Sequence, residues 1–186
     1  MKSQQSSTTR ELILKSAYQI VKEQGFTSLT LEAVAKHAGV SKGGLLYHFN
    51  SKEALIGGMV TMISQLADQQ IEQEYNRAPK EPGAFLRAYL SLHTVEDYEK
   101  EMGPGILAAL ASNPSILDPI RAESQKTQQR IENDGLDPVW ATIIRLAFDA
   151  MIQSEFLQIG ELDEGMKKLV LERLDAMTRQ SKGEQT

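Results

Sequence analysis

The sequence predicts an all-α protein of about nine helices, on three observations. Apolar residues recur at spacings of three and four along nearly the whole chain, the period of a helix with one buried face. The alternating pattern of a half-buried strand is absent. Capping residues and glycines punctuate the periodic stretches where helices would start and stop.

Taken in order, residues 9–24 place Ile13, Ala17, Ile20 and Val21 on one face, and Gly25 ends that helix as a left-handed cap. Thr30 caps a short helix carrying Leu31, Val34, Ala35 and Ala38. A tight turn, Gly39-Val40-Ser41, follows, and Ser41 caps a third helix that ends near Phe49. Ser51 caps a long helix through Leu55, Met59, Ile63 and Leu66, reaching towards Tyr75. Residues 78–83, with two prolines, form the clearest linker. A helix over 85–98 comes next, then a Gly103-Pro104-Gly105 break and a short helix over 106–111. Asn113-Pro114 opens a helix towards Glu132, and Asp134-Gly135 makes a turn. Asp137 caps a helix with Pro138 in its first position, running through Trp140, Ile144, Phe148 and Met151 until Gly160 ends it. Asp163 caps the last helix, with Met166, Leu169, Val170, Leu174 and Met177 turned inward, and the tail from Ser181 is expected to be disordered.

Composition narrows the class. The 186 residues carry no cysteine, which excludes disulfides and thiolate metal sites. Residues 1–9 are polar and lack the apolar core of a secretory leader, and no apolar run approaches the ~20 residues of a membrane span. The expectation is a cytoplasmic protein with no membrane contact. Residues 1–56 hold seven Lys or Arg against four Glu, whereas the rest holds 13 basic and 21 acidic residues. A basic end on an acidic body directs that end at a polyanion.

The stretch 30–55 carries the chemistry. A helix that reads a major groove needs a face suited to bases and phosphates and a bracing helix joined to it by a tight turn. Gly39 supplies the turn, and Ala35, Ala38 and Val40 are small enough for close approach. Leu45 and Phe49, four apart, face inward as anchors. The remaining face of the third helix offers Ser41, Lys42, Gly44, Tyr47 and His48, with no acid among them. Gly43 and Gly44 let a nucleic-acid backbone come close, and free N–H groups at that helix start suit a phosphate.

Here the sequence resembles the DNA-binding domain of the TetR family of repressors. The resemblance covers residues 10–56 and rests on A-x-x-A-G-V-S-K-G, L-Y-H-F and S-K-E-A-L at the family's spacing. It implies a three-helix helix-turn-helix head over residues 1–50, with the start of a connector helix to 56. It also implies a helical effector-binding and dimerisation body over 51–186. One departure stands out: Leu46 occupies a position where many family members carry an aromatic. Leu46 either meets a thymine methyl or packs inward.

The candidate DNA-contacting residues are Thr30, Ser41, Lys42, Gly43, Gly44, Tyr47, His48 and Lys52. Lys42 and Lys52 are expected at phosphates rather than as idle surface lysines, and Tyr47 at a phosphate or base rather than in the core. His48 either donates to a phosphate or holds the motif together, and Thr30 is first of all a cap. His37 has no partner at ligand spacing and reads as a surface residue.

In the body, Met59, Leu66, Tyr89, His93, Met102, Ile106, Leu110, Phe148 and Met151 are candidates to line an effector pocket, although each more commonly serves as core. Methionine adapts its shape to varied ligands, so the expected effector is an apolar or amphipathic small molecule. The last two helices, about 139–159 and 164–179, have more apolar girth than one packed face needs. Trp140, Ile144, Phe148, Ile152, Met166, Leu169 and Val170 are therefore expected at a homodimer interface. No catalytic, cofactor or metal constellation is present.

The resulting expectation is a dimeric, ligand-responsive repressor on a palindromic double-stranded DNA operator. An activator with the same parts is the runner-up. The rival from another class is a small helical enzyme or carrier whose N-terminal motif is coincidental. A helical protein-binding adaptor is a third reading, separated from the first by salt-dependent DNA binding.

Overall fold

Each capping side chain marked in the sequence starts a helix in the computed structural model, which describes residues 2–94 and 113–180. The described residues form eight α-helices: α1 Lys2–Gln24, α2 Leu31–His37, α3 Lys42–His48, α4 Lys52–Arg77, α5 Ala84–Leu90, α6 Asp118–Glu132, α7 Pro138–Leu157 and α8 Glu164–Met177. Three 3₁₀ turns, Phe26–Ser28, Ser91–Thr94 and Pro114–Leu117, complete the order, and there is no strand among the described residues. The chain is all-α, as the periodicity requires.

Local chemistry sets most of the boundaries. The hydroxyls of Thr30, Ser41 and Ser51 accept the N–H of Ala33, Gly44 and Ala54 at 3.1, 3.0 and 3.1 Å. Asp137 and Asp163 do the same for Trp140 and Met166 at 2.9 Å each. At the end of α2, Gly39 adopts φ 65, and its N–H and that of Val40 return to the carbonyls of Lys36 and Ala35. Those paired bonds are the Schellman ending that a left-handed glycine permits.

Some boundaries differ from expectation. Residues 2–8 contain neither Gly nor Pro, so α1 starts at Lys2 rather than at residue 9. The helix expected over 85–98 runs as α-helix only to Leu90 and tightens to 3₁₀ at Ser91–Thr94. The left-handed residue that ends α7 is Gln158, at φ 54, two residues ahead of Gly160. The helix expected over 106–111 and the tail from Ser181 lie outside the described residues.

The described residues fall into two compact units, 2–64 with 113–119 and 65–94 with 120–180, so that α4 is shared between them at Ser64 and Gln65. The first unit buries Ile13, Leu14, Ala17, Ile20 and Val21 of α1 with Leu29, Val34, Leu45, Phe49, Leu55, Ile56 and Met59. Gly58 of α4 lies against this core: a Cβ there would stand 2.6 Å from the Phe49 ring and 3.0 Å from Leu14. Its neighbour Gly57 has room, with Ile116 at 3.9 Å.

The second unit buries Ile71, Phe85, Leu86, Ile131, Leu136, Ala141, Ile144, Phe148, Met151 and Leu174. Its α5 begins at Gly83, which adopts φ 79. No side chain of the flanking sequence caps it, and Asp134 does so from 49 positions away. The Asp134 carboxylate accepts the N–H of Phe85 at 3.0 Å and of Leu86 at 2.8 Å, and its carbonyl accepts the N–H of Gly83 at 2.8 Å. Helices α7 and α8 are tied by the ion pair Glu155–Lys167, 2.6 Å, and by the Trp140 indole N–H on the Met177 carbonyl, 3.2 Å.

The interface expectation for α7 and α8 needs correction. Ile144 and Phe148 are 0% and 1% exposed and serve the protomer's own interior, whereas Trp140, Ile152 and Val170 pack half-buried against the same core. The apolar residues left outside are Val139, Ile143, Leu146 and Leu157 on α7, with Met166 and Leu169 on α8. The apolar girth of α7 does not say which side turns inward. The core spacing 141-144-148-151 takes one side, which leaves 139-143-146 on the other.

The two adjacent glycines of α4 give opposite expectations for stability. Gly57→Ala adds a methyl in open space and helix propensity, and should stabilise by up to ~1 kcal/mol. Gly58→Val must displace a buried ring, and should cost about 1–3 kcal/mol. Urea denaturation followed by circular dichroism measures both; equal midpoints for the two variants would contradict the packing described.

Candidate nucleic-acid interface

Helices α2 and α3 have seven residues each, too few to hold themselves together in water. What fixes α3 is burial of Leu45 and Phe49, at 0% and 3% exposure, on one side of it. The opposite side is then necessarily outward. Ser41, Lys42, Gly43, Leu46 and Tyr47 are all exposed, Tyr47 by 81%. Leu46, at 37%, lies with the outward set and not in the core.

The remaining candidate residues are held in particular ways. Thr30 and Ser41 are exposed caps, each with its oxygen already accepting a backbone N–H. Gly43 has open space where a side chain would stand, whereas a Cβ on Gly44 would come 3.2 Å from the capping oxygen of Ser41. His48 is half-buried, its ring edge-on to Tyr47 with centroids 5.1 Å apart. The Lys52 ammonium rests 4.9 Å from the centre of the Phe26 ring, and the Arg10 guanidinium lies 5.1 Å from that of Phe49.

One contact on this face was invisible along the third helix. Glu32, in the first turn of α2, reaches the Lys42 ammonium at 2.5 Å. The hydrogen bond and charge of Lys42 hold its carboxyl below the usual range. The acid-free surface expected from α3 alone is thus shared with an acid from the neighbouring helix. The signal lies ten positions upstream, where a count confined to one helix does not look.

In the second unit, Tyr89, Phe148 and Met151 come together in one apolar cluster, with the Tyr89 and Phe148 rings 5.6 Å apart and steeply inclined. Met59 belongs to the core of the first unit, and Leu66 is 42% exposed. Met102, Ile106, Leu110 and the side chain of His93 lie outside the described residues. The cluster's polar group is one the sequence reading missed. The Tyr89 hydroxyl donates to Asp149 at 2.6 Å, and Arg145 holds the other Asp149 oxygen at 2.8 Å. Burial, reinforced by the Asp149 charge, pushes the Tyr89 phenol upward, and the Arg145 Nε is buried without a partner. The available signal was the i, i+4 spacing of Arg145 and Asp149. Among the described residues no group of three or more His, Asp or Glu is placed to hold a metal ion, and no helix is long and apolar enough to cross a membrane.

Comparison with known proteins finds family matches to both the earlier and the later helices. The family described as "Bacterial regulatory proteins, tetR family" matches residues 13–59, and "Tetracyclin repressor-like, C-terminal domain" matches residues 83–179. The chain is 33% identical over 141 residues to the HTH-type transcriptional regulator AcrR of Shigella flexneri, covering 75% of this chain and 65% of that one. It is 30% identical over 125 residues to the HTH-type transcriptional regulator RutR of Escherichia coli K12, covering 66% and 58%. The chain therefore spans about three fifths of the length of these relatives. Among solved structures, SCO7518 from Streptomyces coelicolor A3(2), described as a transcriptional regulator, superposes with a TM-score of 0.67 at 18% identity, covering 92% of this chain and 99% of that one. The multidrug binding protein EbrR, complexed with malachite green, gives 0.60 at 19% identity, covering 89% and 96%. With the family's head signature on the first helices and its body signature on the later ones, the chain belongs to the TetR family of DNA-binding transcriptional regulators.

Proposed function

We propose that the protein is a ligand-responsive repressor, binding a palindromic operator as a homodimer and released by a small-molecule effector. The observation that carries the reading is the outward face of α3, where Lys42, Gly43, Leu46 and Tyr47 are exposed opposite the buried Leu45 and Phe49. Residues 1–50, with the start of α4, form the reading head in this proposal, and residues 51–186 the sensing and pairing body. Lys42 and Lys52 neutralise phosphates, Tyr47 and Leu46 meet the groove, and the caps Thr30 and Ser41 hold the two short helices to the DNA-facing surface.

Pairing is supported by five of the exposed apolar side chains of α7 and α8: Val139, Ile143, Leu146, Met166 and Leu169. They sit at helical spacing on adjacent elements, and a two-fold contact would bury them against their own copies. Two heads then address half-sites a helical turn or more apart. One seven-residue helix reads too few bases to define a site alone.

For the effector, the cluster of Tyr89, Phe148 and Met151 offers apolar contact, with Tyr89, Asp149 and Arg145 as its polar end. That EbrR is solved with a dye supports an apolar or amphipathic molecule. Release requires the effector to favour the non-binding arrangement by about 1–3 kcal/mol, since only differential affinity shifts an equilibrium. The family membership sets aside the reading as a helical enzyme or carrier.

Four outcomes are expected. In fluorescence anisotropy with duplex DNA, Lys42→Ala and Lys52→Ala each weaken binding across sequences and flatten the salt dependence by about one per head. Gly43→Glu, which places an acid in open space on the same face, abolishes binding without altering the circular dichroism spectrum; normal binding by this variant would exclude the face. Light scattering of the wild type should give twice 20.7 kDa. Ile143→Asp with Leu169→Asp should give 20.7 kDa with a folded chain and a large loss of DNA affinity. A wild-type monomer that still binds an operator tightly would sink the dimeric reading.

A further inference from the structure

The Glu32–Lys42 pair contributes little to holding the head together. Its two side chains are 69% and 60% exposed, and water and salt screen exposed pairs strongly. The N–H groups of α2 are served by Thr30, and α3 is fixed by Leu45 and Phe49, so the fold does not need this carboxylate. Glu32 is nevertheless one turn from the exposed cap Thr30 and in contact with a candidate phosphate-binding lysine. A negative charge at that place opposes a polyanion twice. It competes with phosphate for the Lys42 ammonium, and once Lys42 turns to DNA it is left facing the strand without its partner.

We propose that Glu32 is a built-in restraint on DNA affinity: its carboxylate engages Lys42 in the free protein and lowers the sequence-independent part of binding, leaving discrimination to groove-facing side chains such as Tyr47. The proposal rests on the reading of this face as the one that meets DNA. Its physical basis is that phosphate contacts dominate non-specific affinity and are made alike on every sequence. A regulator that loses one effective cation per head gives up affinity for every sequence alike, and so spends less time on DNA that is not its operator. In counterion terms the pair adds nothing to the charge that neutralises phosphate. Removing Glu32 therefore adds one effective cation, and removing Lys42 subtracts one.

The experiment uses the full chain and two probes. One is a labelled mixed-sequence duplex about three helical turns long. The other is the site that the wild-type protein enriches from a random-sequence pool. Glu32→Gln removes the charge and keeps the size, and its exposed position leaves the fold unchanged by circular dichroism. On the mixed-sequence duplex at low salt, Glu32→Gln should bind about fivefold more tightly per head and steepen the salt slope by about one per head. Glu32→Gln combined with Lys42→Ala should return the slope to that of the wild type, and Glu32→Gln alone should tighten the selected and mixed sites by the same factor, leaving their ratio unchanged. Unchanged affinity in Glu32→Gln, on a protein that Gly43→Glu renders inactive, would overturn the restraint and leave the DNA face standing. Weaker binding confined to the selected site would also overturn it, making Glu32 a base-reading residue that accepts from a cytosine amino group. Normal binding by Gly43→Glu would instead refute the face, and the restraint with it.

Discussion

Everything that α3 presents depends on the burial of two side chains. Leu45 and Phe49 are fully enclosed, and a helix of seven residues has no stability of its own to spare. The enclosure is completed from a distance: α4 passes close enough to Phe49 that only a glycine fits at position 58. The first half of the long helix is therefore part of the first unit's core. The exposed tyrosine and lysine of α3 owe their direction to a ring on the opposite side of the same short helix.

The second unit solves the same problem differently. Its α5 is also seven residues long, and it starts in a left-handed glycine that offers no capping side chain. Asp134, from the turn after α6, supplies both oxygens to its first N–H groups. Burial pushes the Asp134 carboxyl above its ordinary value although those two donors pull it down, so the group is held for geometry more than for charge. Tyr89 near the end of α5 is then fixed over Phe148, with its hydroxyl committed to Asp149. A short helix capped at one end and hydrogen-bonded at the other positions the polar group of an otherwise apolar interior.

How much of this was legible in the sequence follows from the range of each interaction. Caps act across three residues, and Thr30, Ser41, Ser51, Asp137 and Asp163 all act where their neighbours said they would. Gly25 and Gly39 adopt the positive φ that their positions between helices suggest. The α3 face was legible because its anchors and its exposed residues lie within one stretch of nine, Ser41 to Phe49. The unread features are those that act between elements. The cap from Asp134 spans 48 and 49 positions, and the Glu32–Lys42 pair crosses a turn. The inward side of α7 depends on α5 and α8, not on its own apolar pattern. Gln158 closes α7 in a conformation that glycine adopts more readily, so composition pointed two residues too far.

The contact between the Trp140 indole and the Met177 carbonyl has a practical corollary. Trp140 is the one tryptophan in the chain, it is half-buried, and it joins the first turn of α7 to the last residue of α8. Head and body therefore differ in colour. Excited at the red edge, where tyrosine is dark, the protein emits only from the body, and the wavelength reports whether the last two helices still enclose that ring. Melting of the reading head alone leaves this emission in place, so the intrinsic fluorescence of the unlabelled protein separates the loosening of one unit from that of the other.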